Sequence, residues 1–131
     1  QFYGKQTPVH LFWHTFDLAL TRFSGKKAPE IAGMDAVSKE AYSHEVISFG
    51  MWFGDDHIPE PAFYSYTYPE PKTLTQKKLL PEQAYWDKIN SGNVAILKYH
   101  DLMGENHPRE KLLEFFNSAY QAGYESASWN L

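Results

Sequence analysis

The chain has 131 residues, the usual size of one domain with a single hydrophobic core, and 43% of them are hydrophobic and 21% charged. It has no cysteine, which removes disulfides, thiolate zinc sites and a thiol nucleophile together and suits a reducing, cytoplasmic location. A net charge of -4 argues against a duplex nucleic acid partner, and no apolar run approaches the roughly 20 residues of a membrane helix, so a soluble protein is expected.

Aromatic residues make up 17% of the chain, enough to shape a core, an interface or a ligand pocket. From Val9 to Phe23 the run VHLFWHTFDLALTRF fits both helical and extended templates. Its aromatic content, Pro8 before it and Ser24-Gly25 after it favour one long strand. Pro29 to Asp35 reads as a loop. Ser43 to Phe53 reads as a second strand, apolar on both alternating sets and therefore expected to be covered on both faces. A third strand, Ala62 to Tyr68, places Tyr64, Tyr66 and Tyr68 on one face by its period of two. Prolines at 69 and 71 end it, and Pro81, acceptable at a first helical position, predicts a short helix through Trp86. Ser91-Gly92-Asn93 reads as a turn before a short strand, Val94 to Tyr99. Pro108 then opens an amphipathic helix running to Ser126, with a stripe of Leu112, Phe116, Ala119, Tyr120, Gly123 and Tyr124.

The fold expected from this pattern is α+β: a mainly antiparallel sheet of about four strands with the C-terminal amphipathic helix packed on it, residues 1–131 forming a single domain. A start at Gln1, with neither an initiator Met nor a signal pattern, reads as a fragment or processed product.

Three ordered runs, PVHLFWHTFDLALTRFSGKKAP, EAYSHEVISFGMWFGDD and EPAFYSYTYPEP, resemble the C-terminal half of a bacterial family known only as a domain of unknown function. The resemblance implies a longer protein with an N-terminal half not included in this chain. It also implies a set of matching polar residues: His10, Asp17, Arg22, Ser24, Gly25, Glu40, Tyr42, Ser43, His44 and Glu45. The family pattern has a small residue where this chain has His14, which argues against a shared role for that histidine. No activity comes with the resemblance.

Among the polar clusters, His10 and His14 suggest a metal pair on a helix, but four residues of strand separate them by about 13 Å, so no metal site is expected. No cofactor is expected either. Ser24-Gly25-Lys26-Lys27 has the look of a phosphate loop's tail but lacks the upstream glycine and the following helix. Asp55-Asp56, with His57 and Glu60, lacks the spacing of a calcium loop and reads as a solvated turn.

Tyr42-Ser43-His44-Glu45 is the densest polar stretch beside a strand. Adjacent strand residues face opposite ways, so His44 and Glu45 must each find a partner elsewhere, and Asp17 or Arg22 on the first strand could supply one. A catalytic set of His44, Glu45, Asp17 and Arg22 follows, with Ser24 and Ser43 as candidate hydroxyls; no nucleophile elbow marks either serine. A ligand surface of Tyr42, Tyr64, Tyr66 and Trp52, with Trp13 nearby, could stack a flat molecule or could simply be buried. Two functions are therefore expected: a small-molecule-binding or enzymatic domain with its polar site around His44, or an interaction half-domain that buries aromatic faces against a missing N-terminal half or a second copy in a homo-oligomer.

Overall fold

A computed structural model describes residues 2, 4–12, 17–28, 44–90 and 92–129. Six strands form one antiparallel sheet: β1 (His10–Phe12), β2 (Asp17–Lys27), β3 (His44–Trp52), β4 (Ala62–Tyr68), β5 (Tyr85–Ile89) and β6 (Gly92–Lys98), in the spatial order β1-β2-β3-β4-β6-β5. Two helices follow, the short α1 (Tyr99–Met103) and the 19-residue α2 (Pro108–Ser126). The α+β class and the C-terminal helix match expectation. The strand count does not: the described residues form six strands, not about four.

The two extra strands have separate causes. The apolar run from Val9 is divided between β1 and β2, which pair antiparallel with Phe12 opposite Asp17 and His10 opposite Ala19. The run contains no glycine, proline or asparagine to mark the reversal, so periodicity alone joined the two strands into one. The strand that holds His10 ends at Phe12 among the described residues, and His14, like Trp13, lies outside them, so the spacing of the two histidines along one strand is not described. The predicted loop at Pro29 to Asp35 also lies outside them.

Pro81 to Trp86 also departs from the expected helix. Instead of a helix, a turn leads into β5, which pairs with β6 from Tyr85 opposite Ile96 to Ile89 opposite Gly92. Asn90, in the two-residue connection, has φ 56°, a left-handed conformation that asparagine tolerates and that tight hairpins need. The hairpin turn therefore begins one residue earlier than the predicted Ser91-Gly92-Asn93, and Gly92 belongs to β6.

β2 and β3 run in register from Leu18 opposite Met51 to Phe23 opposite Val46; pairing then resumes only at Lys27 opposite His44. The excess residues form a bulge at Gly25, whose φ of 90° suits glycine. Lys26 N–H donates to Ser24 Oγ at 3.0 Å inside it. Ser24-Gly25-Lys26-Lys27 is thus a strand irregularity. At the Asp55 turn, Oδ1 accepts from the N–H groups of His57 and Ile58, both at 2.9 Å, and the turn delivers Ile58 into the core.

The register separates the side chains into two faces. Ile47, Phe49, Ser65, Ala95 and Leu97 face helix α2, where Phe115, Ala119, Ala122 and Gly123 are buried. The opposite face carries Ala19, Ala62, Tyr64 and Ile96 in a second cluster with Ile58. Residues 46–50 of β3 are buried on both faces within this chain, so the middle of β3 has both of the covers it was expected to need.

Gly123 sets how closely the helix approaches. A methyl group there would collide with Thr67 Oγ1 and come within 2.8 Å of Ile47 Cδ1, both in buried residues. On an exposed helix Gly→Ala would gain about 1 kcal/mol from propensity. Here overpacking, worth about 1–3 kcal/mol, opposes it. Gly123→Ala is expected to lower stability by about 1 kcal/mol net in denaturant titrations, with partial recovery when Ile47→Val is added. A stabilised Gly123→Ala protein would contradict this account of the helix contact.

Candidate functional site

The strand register decides which predicted polar residues can meet. His44 opens β3 opposite Lys27, whereas Asp17 opens β2 ten residues away, about 33 Å along the strand. Asp17 and His44 are therefore at opposite ends of the strand pair. Arg22 lies opposite Ile47, about 10 Å along β3 from His44. Glu45 shares the helix-facing side with Ile47, while His44 shares the other side with Val46. Ser24 Oγ donates to Glu45 Oε1 at 2.7 Å, so the bulge gives Glu45 a hydroxyl partner across the strands. Tyr42 and Ser43 lie outside the described residues.

Trp52, Tyr64 and Tyr66 do converge on the face away from α2. Trp52 meets Tyr64 edge-on with centroids 5.2 Å apart, and Tyr64 stacks on Tyr66 at 6.4 Å with planes 5° apart. Gly50 lies opposite Tyr64, and a side chain there would come within 2.6 Å of the Tyr64 ring and hydroxyl. The ring thus rests directly on the β3 backbone. Tyr64 is buried, and Tyr66 and Trp52 are half-buried.

A different site lies on the helix-facing side. A cleft of about 360 Å³ separates α2 from β2 and β3. Leu18, Leu20, Phe49 and Met51 form its floor; Leu113, Phe116 and Asn117 form its helical wall, and Val9 its outer edge. Leu18, Leu113 and Val9 remain 47%, 49% and 63% exposed, so the mouth is apolar and open to water. The volume lies within the usual range of small-molecule pockets. The sequence signal was available: Leu113 sits one turn from Phe116 and Asn117 on a flank of the helix beside the predicted stripe.

Arg22 is the sole cation among the described residues lining this cleft. Its guanidinium lies over three rings, with the central carbon 4.6 Å from the centroid of Tyr120, 4.9 Å from Phe2 and 5.5 Å from Phe49. Edge-on packing fixes those rings: Phe49 meets Phe116 at 5.6 Å, and Phe2 meets Tyr120 at 6.0 Å. Nε donates to Gln6 Oε1 at 3.3 Å, and Gln6 is held opposite Arg22 by backbone pairing of the N-terminal segment along β2. No carboxylate of the described residues pairs with Arg22.

A second polar group, on the other face, is less developed. His57 Nε2 lies 2.9 Å from Asp87 Oδ2, but His57 is largely exposed, and an exposed pair of this kind contributes little. Burial, then the charges of Asp87, Glu60 and Asp101, push the neighbouring Tyr85 hydroxyl above its ordinary value.

Tyr120 links the cleft's cation to the core. Burial pushes its hydroxyl above the ordinary 10.0, while the Arg22 charge acts in the opposite sense. The guanidinium sits over the ring face, the geometry of a cation–π contact and not of a hydrogen bond to the hydroxyl, which has no partner among the described residues. The fold therefore favours the neutral phenol. That contribution is complete below pH 10, the unfolded value, and is lost as pH rises through the higher folded value. Thermal unfolding between pH 9 and about 12 should show Tyr120→Phe losing Tm less steeply than the unchanged protein, because Tyr85 titrates in both and Tyr120 in only one. Parallel curves would remove Tyr120 from the alkaline transition.

None of the described helices is long and apolar enough to cross a membrane. No curated protein and no solved structure matches the chain. A family of unknown function (DUF5996) matches residues 1–131, the full length given, and the chain belongs to that family.

Proposed function

We propose that this protein binds a small, largely apolar molecule in the cleft between α2 and strands β2 and β3. The observation that carries this reading is the cleft itself: a walled space of about 360 Å³, apolar on floor and helical wall, next to a single oriented cation. A pocket of mostly apolar surface with few convergent polar groups is the usual form of a ligand site.

Binding is favoured over catalysis by the strand geometry. The catalytic set of His44, Glu45, Asp17 and Arg22 would need groups from opposite ends and opposite faces of β2 and β3. Of the polar residues near His44, Glu45 and Ser24 make a direct contact with each other, and it is a serine donating to a carboxylate. Serine activation requires a base oriented toward the hydroxyl and a third group behind that base. Tyr64, Tyr66 and Trp52 supply packing on the opposite face, where the burial of Tyr64 favours a structural role.

The interaction reading retains one specific support. Val9, Leu11, Leu18 and Leu113 are exposed apolar side chains, three of them at the cleft mouth, which is the kind of patch that a second copy can cover. Light scattering of the chain at high concentration tests it: a dimer that dissociates on Leu113→Asp supports self-association, and a monomer at every concentration removes it.

For the ligand reading, Asn117→Trp places a large side chain at an exposed helical position on the cleft wall, with no loss of helix propensity. Titration with a neutral solvatochromic dye and with 1-decanol should show saturable binding to the unchanged protein. Asn117→Trp should weaken it at least about tenfold, equivalent to about 1.4 kcal/mol, without lowering Tm. Unsaturable binding, or equal affinity in both proteins, would count against the cleft as the site.

A further inference from the structure

We infer that the molecule held in this cleft has an apolar tail and one anionic end, a medium-chain monocarboxylate, with Arg22 as the group that selects the carboxylate. The inference rests on the cleft being a ligand site.

The charge arrangement is the starting point. Arg22 is half-buried at the cleft, and a partly desolvated cation is ordinarily matched by a carboxylate. Here the groups around it are three aromatic rings and the neutral amide of Gln6. The rings attract the cation through their faces and fix the plane of the guanidinium, but they leave its charge uncompensated. Glu45, the nearest carboxylate along the register on the same face, accepts from Ser24. No carboxylate of the described residues forms an ion pair with Arg22, and a ligand can supply one.

The choice of carboxylate follows from shape. A guanidinium held flat presents a planar fork of N–H groups that matches the two oxygens of a carboxylate, whereas lysine would offer a point charge. Size limits the tail. At the ~30 Å³ taken up by a water-sized group, a space of 360 Å³ covers about a dozen heavy atoms, which suits a single chain such as decanoate. Asn117 is the other polar side chain in the lining, and the remainder offers contacts only to hydrocarbon.

Calorimetric titration of the unchanged protein with decanoate, 1-decanol and decylammonium, each below its aggregation concentration, tests this. Decanoate is expected to bind at least about tenfold more tightly than decanol, with decylammonium the weakest, a gap in the range of a charge-assisted pair. Arg22→Met should bring decanoate and decanol to equal affinity, and Arg22→Lys should keep only part of the preference. Added salt supplies a second readout without any substitution, in case Arg22→Met does not fold: decanoate affinity should fall with ionic strength and decanol affinity should not. Equal binding of decanoate and decanol, or a preference that survives Arg22→Met, overturns the role of Arg22 and leaves the apolar cleft standing. Failure of all three ligands to bind the folded protein saturably overturns both readings.

Discussion

One helix is too narrow for this sheet, and most of the structure follows from that mismatch. Six strands at about 4.8 Å spacing measure about 24 Å from edge to edge, while a helix with its side chains is about 10–12 Å across. Helix α2 is drawn down where Gly123 lets it approach Ile47 and Thr67, so its cover is concentrated over the middle of the sheet. On the β5 and β6 side, the segment after β4 fills the remaining space: Leu79 is buried with Ala95 and Leu97, and Trp86 Nε1 donates to the Lys77 carbonyl at 3.0 Å. On the β2 side the cover among the described residues is thinner: Leu20 packs at the edge of the Ile47 and Phe49 cluster, and Leu18 stays exposed on the floor of a cleft.

The same geometry explains the position of Arg22. It lies on the helix-facing side of β2, one cross-strand pair from Leu20 and Phe49, where a hydrocarbon side chain would extend the core. Its planar head rests on rings, a stacking that lysine's compact ammonium does not reproduce. Phe49 is shared: it touches Phe116 and Tyr120 on the helix and also lies under the guanidinium. The aromatic cluster that holds α2 therefore also orients the cation, and the cleft's shape and charge depend on the same side chains.

The two faces of the sheet use their aromatic residues differently. Toward the helix, Phe49, Phe116, Tyr120 and Phe2 meet at steep angles, an arrangement that leaves ring faces for a cation. On the other side Tyr64 lies against Gly50 and stacks with Tyr66, which gives a flat cover pressed onto the backbone. High aromatic content in the sequence thus serves two purposes, and composition alone does not distinguish them.

Several parts of this structure were determined locally. Strand β4 and helix α2 begin and end where the sequence predicts, because Pro69 and Pro71 follow one and Pro108 opens the other. The opposite orientations of His44 and Glu45 follow from the two-residue period of any strand, and the joint burial of both faces of β3 follows from apolar residues on both of its alternating sets. The tertiary structure decided the rest. The division of one apolar run into β1 and β2, the use of Tyr85 to Ile89 as an edge strand, and the placement of β6 between β4 and β5 all depend on which strands find each other. Pairing joins residues far apart in sequence, so a local period does not encode it. The site shows the same division: the sequence singled out Arg22 as a polar residue on a strand, but its aromatic surroundings, its distance from Asp17 and His44, and the cleft beside it exist only after a narrow helix has settled on a wide sheet.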